Sequence, residues 1–163
     1  PPWKARLSQR ERRLLAEYLT TFSSVFADPN LVGEPIAIPE APSFDDASRE
    51  RGKALYAQFQ CVICHGPEGK GDGVAAAALL DTTQRPIRPA DFTRGFVKGG
   101  RGPRVVFRAI STGLTGTPMP SFAAMTDEAQ RWDLAAYVMS LGADVGSASQ
   151  YLFADPAGRI SVP

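Results

Sequence analysis

Apolar residues recur at helical spacing in three parts of the chain. In SQRERRLLAEYLTTF, Ser8 to Phe22, the residues Leu15, Tyr18, Leu19 and Phe22 share one face while charge covers the other, and Ser8 stands where an N-cap belongs. A second period starts at the acidic pair Asp45-Asp46, suited to a helix N-terminus, and brings Gly52, Tyr56 and Phe59 to one side. The third runs from Asp127 to Leu141, with Thr126 or Asp127 as cap, Gly142 as stop, and Leu134, Tyr137, Val138 and Leu141 as its buried stripe. Shorter helical candidates are the alanine-rich Val74 to Leu80 and the stretch Pro103 to Ser111, whose proline suits a first turn. The expected class is all-α.

The intervals between these periods have their own chemistry. Ala27 to Ser43 carries Pro29, Pro35, Pro39 and Pro42, which exclude a helix interior and favour an extended connector. Gly66 to Gly73 holds four glycines in eight residues, so the backbone there turns tightly. It is not a phosphate-binding loop, because Lys70 is followed by Gly71 rather than Ser or Thr and no strand pattern precedes it. Asp81 to Gly102 reads as loop. GLTGTPMPSF, Gly113 to Phe122, is a rigid loop in which prolines on both sides of Met119 hold its backbone. The organisation expected is an amphipathic helix over 1–24, a linker over 25–43, a main domain over 44–145 and an extended tail over 146–163.

A length of 163 residues suits one domain of about 100 residues with extensions. A hydrophobic share of 44% supplies a small core, and a net charge of +1 points to neither nucleic acid nor a membrane surface. No run approaches the roughly 18 apolar residues of a membrane-spanning helix, and Pro1-Pro2-Trp3 is not a secretory signal, so the chain reads as mature or trimmed.

The strongest chemical signal is Cys61-Val62-Ile63-Cys64-His65, which contains both cysteines and the single histidine of the chain. Two thiols three positions apart suit addition to the two vinyl groups of a porphyrin, with the adjacent imidazole reaching its iron, which is covalent haem c attachment. A thioredoxin-type redox pair would want a βαβ setting, yet glycines follow. A structural zinc site would need four protein ligands where only three of the nitrogen and sulfur kind exist. A simple disulfide would leave His65 unexplained.

With these residues in order, the chain resembles a class I c-type cytochrome. The likeness covers about Phe44 to Ala143: C-x-x-C-H after a helix carrying Gly52 and Tyr56, Met119 in a proline-framed loop, and an aromatic-bearing last helix. It implies one haem c, and N- and C-terminal helices that cross with Gly52 and Tyr56 against Leu134 and Tyr137. One histidine excludes a bis-histidine haem within the chain, and leaves methionine, lysine, an open position or a partner's ligand. Met119 holds the family's sixth-ligand position, with Met125 as runner-up and Met139 as core filling.

Between Arg85 and Arg108 there are seven cations against Asp91 alone. Arg85, Arg88, Arg94, Arg101 and Arg104 are candidates for contacts to haem propionates or to an acidic redox partner, beside the plainer reading of a solvated loop. Nucleic acid is a poor third choice, since Phe92, Phe96 and Phe107 form no binding motif. A shift of 119 positions lays Trp3 on Phe122, Arg12 on Arg131, Leu15 on Leu134 and Tyr18 on Tyr137, so the first helix resembles the end of a preceding cytochrome c domain, in a two-haem protein or a descendant that lost its first haem, beside the plainer reading that any amphipathic helix scores several such matches.

The function expected is one-electron transfer through a His/Met-ligated haem, as a carrier module or subunit of a respiratory or related redox complex, and not as an enzyme. The resemblance implies a periplasmic or otherwise extracytoplasmic site, with membrane association through a partner or a missing N-terminal segment. Redox proteins and neighbouring subunits of a membrane-associated complex are the expected partners. The alternatives are a haem-based enzyme or gas sensor with an open sixth position, and a structural subunit that keeps haem as filler.

Overall fold

The computed structural model describes residues 3–28, 30, 36–95, 100 and 102–142. It divides into two compact units, Pro1–Ala37 and Ile38–Pro163. Arg101 and the expected tail from Gly146 lie outside the described residues.

In the first unit a 3-10 turn, Trp3–Ala5, leads to helix α1, Gln9–Thr20. Ser8 caps it as its spacing predicts. The Glu11 N–H donates to Ser8 Oγ and the Ser8 N–H donates to the Glu11 carboxylate, a reciprocal box that satisfies two of the donors a helix start leaves open. No α1 residue is buried, and Tyr18 and Phe22 meet edge to face at 4.9 Å. A second 3-10 turn, Ser24–Phe26, follows.

The second unit is built on α2, Asp46–Gln58, and α5, Glu128–Leu141, with α4, Pro103–Thr112, also packed on α5. Asp45 and Asp127 cap α2 and α5 through boxes of the same kind, and the first-turn proline of α4 sits at the start the sequence assigns it. Where α2 meets α5, a Cβ on Gly52 would stand 2.0 Å from the Asp133 carbonyl oxygen and 2.8 Å from Tyr137 Cβ, so only glycine permits this approach. Tyr56 packs edge to face on Tyr137 at 5.2 Å, and the Arg51 guanidinium forks onto Asp133 at 2.7 and 2.9 Å.

The buried face of α5 is wider than the expected stripe. Trp132, Ala135 and Ala136 are buried with Leu134, Tyr137 and Val138, whereas Leu141 is only half-buried. A helix packed against two others needs apolar residues around more of its circumference than one resting on a single neighbour. Trp132 stacks on Phe107 of α4 at 4.1 Å, and the Arg131 guanidinium lies 5.2 Å from the centre of that Phe107 ring.

Two expectations change. The alanine-rich stretch Val74 to Leu80 forms only a 3-10 turn, Ala76–Ala78: a short helix has an expensive first turn, and the Ile87 N–H drawn to the Leu79 carbonyl together with the Leu80–Pro86 bridge pulls its end into extended backbone. Within the expected linker, Ile38 and Ala41 pack against the core of the second unit, and Arg104 bonds both Glu40 and the Ile38 carbonyl. No strand forms among the described residues, and no described helix is long and apolar enough to cross a membrane.

Candidate haem site

The C-x-x-C-H residues form one helical turn, α3, Cys61–His65. Gln60, in left-handed backbone at φ 59°, swings the chain out of α2 and into this turn. The glycine run then folds back over it. The N–H groups of Gly71, Gly73 and Ala75 donate to the carbonyls of His65, Cys64 and Ile63, at 2.9, 3.1 and 2.9 Å. A Cβ at Gly73 would stand 2.2 Å from the Ile63 oxygen, which explains why the run cannot carry a side chain there. These bonds fill the carbonyls that a single helical turn leaves open.

Burial pushes the Cys61 thiol up to about 11. A redox-active C-x-x-C needs the opposite shift, toward thiolate. His65 Nδ1 lies 3.2 Å from the Ala90 carbonyl and the ring stacks on Phe92 at 4.4 Å. Nδ1–H donation to that carbonyl leaves Nε2 as the free donor to a metal. Burial also holds the imidazole below its ordinary range, which favours the neutral, metal-binding form. The Tyr56 hydroxyl, buried, donates to the Gly66 carbonyl at 2.8 Å and ties α2 to the end of the motif.

The loop after α4 carries Met119. Its backbone is tied by Leu114 N–H to the Met119 carbonyl at 3.2 Å, Met119 N–H to Thr117 Oγ1 at 3.2 Å, and Phe122 N–H to the Ile110 carbonyl at 2.9 Å. Cys61, Cys64, His65 and Met119 line one cavity of about 580 Å³, with Ile87, Val106, Ile110, Leu114, Leu134 and Val138 among the apolar walls. Two thiols, an imidazole and a thioether around an apolar cavity are the donor set a covalently held haem requires, and the walls suit its flat hydrocarbon face. The other two methionines stand elsewhere: Met125 is 54% exposed and Met139 packs against the core.

The arginines separate. Arg88 borders the cavity and also a neighbouring open cleft of about 610 Å³, which Lys70, Asp72, Asp91 and Arg94 line. Arg94 lies 3.6 Å from Asp91. Arg104 is engaged with Glu40 at 2.5 Å, and neither it nor Arg85 is among the described residues that line the cavity. The Ala90 carbonyl and the Phe92 ring had no signal in the sequence beyond a proline next to Ala90, because one is backbone and the other lies in a stretch without period.

Replacing Tyr56 by Phe keeps the ring against Tyr137 and removes only the bond to Gly66. The expected loss is about 1 kcal/mol of unfolding free energy, since the Gly66 carbonyl keeps a second donor in Gly69 N–H. Chemical denaturation of the two proteins measures it.

The family model described as Cytochrome c matches residues 49–142. A chain of the solved Kuenenia stuttgartiensis reducing HAO-like protein complex Kustc0457/Kustc0458 is similar at 38% identity and a TM-score of 0.75, over 86% of this chain and 63% of that one. The chain therefore spans less than two thirds of the length of that relative. No curated protein matches.

Proposed function

This chain belongs to the cytochrome c family, and on that premise we propose that its second unit transfers single electrons through one haem c, which Cys61 and Cys64 would hold covalently and whose iron His65 and Met119 would bind. The observation that carries the reading is the meeting of both thiols, the single histidine and Met119 around one apolar cavity. When bound there, haem supplies a one-electron iron couple.

The residues of the chain divide the remaining work. The thiols fix the porphyrin to α3, and the Ala90 carbonyl sets the orientation of the imidazole. Met119 would be the iron's second protein ligand and so would keep substrate off the metal, and its thioether would favour the ferrous state relative to a second histidine. The apolar walls keep water away from the couple. Arg88 and Arg94, beside the cavity and its neighbouring cleft, serve the propionates or an acidic partner.

We assign the chain to the electron-carrying rather than the catalytic side of a redox complex outside the cytoplasm. The similar solved chain belongs to a complex named as reducing HAO-like and as having two components. That likeness supports a neighbouring redox subunit as the partner here, working in a respiratory or related system.

Purified holoprotein tests the reading. A spectroelectrochemical titration is expected to give a single-electron wave, low-spin spectra in both oxidation states, and a sulfur-to-iron charge-transfer band in the ferric form. A high-spin ferric haem that takes up carbon monoxide readily once reduced would sink it and favour the open-site alternative.

A further inference from the structure

Several hydrogen bonds of the first unit recur at the end of the second. A shift of 119 positions carries α1 onto α5 from its first residue, Gln9 onto Glu128. Arg6 N–H donates to the Trp3 carbonyl at 3.0 Å, and Met125 N–H donates to the Phe122 carbonyl at 3.0 Å. The Ser8–Glu11 capping box becomes the Asp127–Gln130 box. Thr21 Oγ1 donates to the Tyr18 carbonyl at 2.7 Å, as Ser140 Oγ does to the Tyr137 carbonyl at 2.6 Å.

Capping boxes recur in many helices, so they weigh little alone. The arginines weigh more. The Arg12 guanidinium donates to the carbonyls of Leu7 and Lys4 at 2.6 and 3.4 Å, and that of Arg131 donates to those of Thr126 and Ala123 at 2.7 and 3.5 Å. Helix geometry does not dictate a side chain reaching five and eight residues back through a preceding turn. The atoms recur although the residue types differ: Ser for Asp, Glu for Gln, Thr for Ser, Trp for Phe.

One property is reversed. Leu134, Tyr137 and Val138 are 2%, 9% and 8% exposed, while their counterparts Leu15, Tyr18 and Leu19 are 48%, 57% and 60% exposed in the order Leu15, Leu19, Tyr18. In the second unit Tyr137 is covered by α2, where Gly52 stands one turn ahead of Tyr56 and C-x-x-C-H follows, while Leu134 and Val138 line the cavity.

We propose that the α1 face is the closing face of a first haem-bearing domain, whose covering helix lies upstream of Pro1 in the same polypeptide. That helix carries a small residue one turn ahead of an aromatic and leads into a second C-x-x-C-H. The same register puts the counterpart of Met119 immediately before Pro1, as Pro1 answers Pro120. The inference rests on the haem reading of the second unit.

The intact natural polypeptide supplies the test, by three readouts. Sequencing upstream of Pro1 is expected to show methionine at the preceding position and C-x-x-C-H about as far ahead of it as Cys61 is of Met119. Intact mass and the pyridine haemochrome assay are expected to give two haems per chain. Tyr18→Asp is expected to halve the haem content of the isolated protein and leave the His65 site's spectrum unchanged, with Lys4→Ala as a control that keeps both haems. One haem per chain together with no upstream motif overturns this inference and leaves the second unit's function standing, whereas no haem at all overturns both.

Discussion

Met119→Ala is expected to leave haem attached, to abolish the sulfur-to-iron band of the ferric protein, and to lower the reduction potential by on the order of a hundred millivolts, within the span of about 0.8 V that axial ligands command. Attachment should survive because the thiols stand on α3, a different segment from the Met119 loop. That loop should also keep its place, since its ties run through backbone atoms and Thr117 Oγ1 rather than the thioether. What is lost is the soft sulfur donor. The vacated sixth position then accepts water or added carbon monoxide, which gives a second readout of the same change. If the variant kept its sulfur band, Met119 would not be the ligand. Met125 would be a poor substitute, being 54% exposed and not among the cavity's described lining.

Gly52→Ala is expected to destabilise the second unit by about 2 kcal/mol. The new methyl would meet the Asp133 oxygen and carbon at 2.0 and 2.6 Å, and these are helix backbone atoms that cannot turn aside. Overpacking typically costs about 1–3 kcal/mol, and contacts this short belong at the upper end. Alanine's better helix propensity returns about 1 kcal/mol. Denaturant unfolding of the holoprotein measures the balance, with exposed Lys53→Ala as a control expected to shift it by less than about 0.5 kcal/mol. A stabilised Gly52→Ala protein would mean that α2 and α5 do not approach as closely as described.

How much of this was legible in the sequence follows from where each determinant resides. Ser8, Asp45 and Asp127 announce their helices because a cap acts within three residues of itself. Cys61, Cys64 and His65 form an equally local motif, and Met119, which lines the same cavity, was marked by its flanking prolines. The crossing partner of Gly52 was less so: resemblance pointed to Leu134 and Tyr137, yet its nearest atom is the Asp133 carbonyl, which no residue type encodes. Trp132 and Ala135 escaped the stripe because α5 packs against two helices. The dense charge of 85–108 did not reveal that Arg104 is spent on Glu40 while Arg88 stands at the cavity, since charge density carries no address. The pairing of Arg12 with Arg131 was visible as letters, but its matched hydrogen bonds were not.

The clasp between Arg51 and Asp133 also has a kinetic side. It joins residues 82 positions apart, and closing so long a loop costs about 4 kcal/mol in chain entropy before any contact repays it. The later helix must therefore find the earlier one, and contacts of such range slow folding. A nascent chain that has not yet delivered α5 lacks the Tyr137 ring that packs on Tyr56. The order of synthesis thus leaves an interval in which Cys61 and Cys64 can be reached before the fold shuts over them.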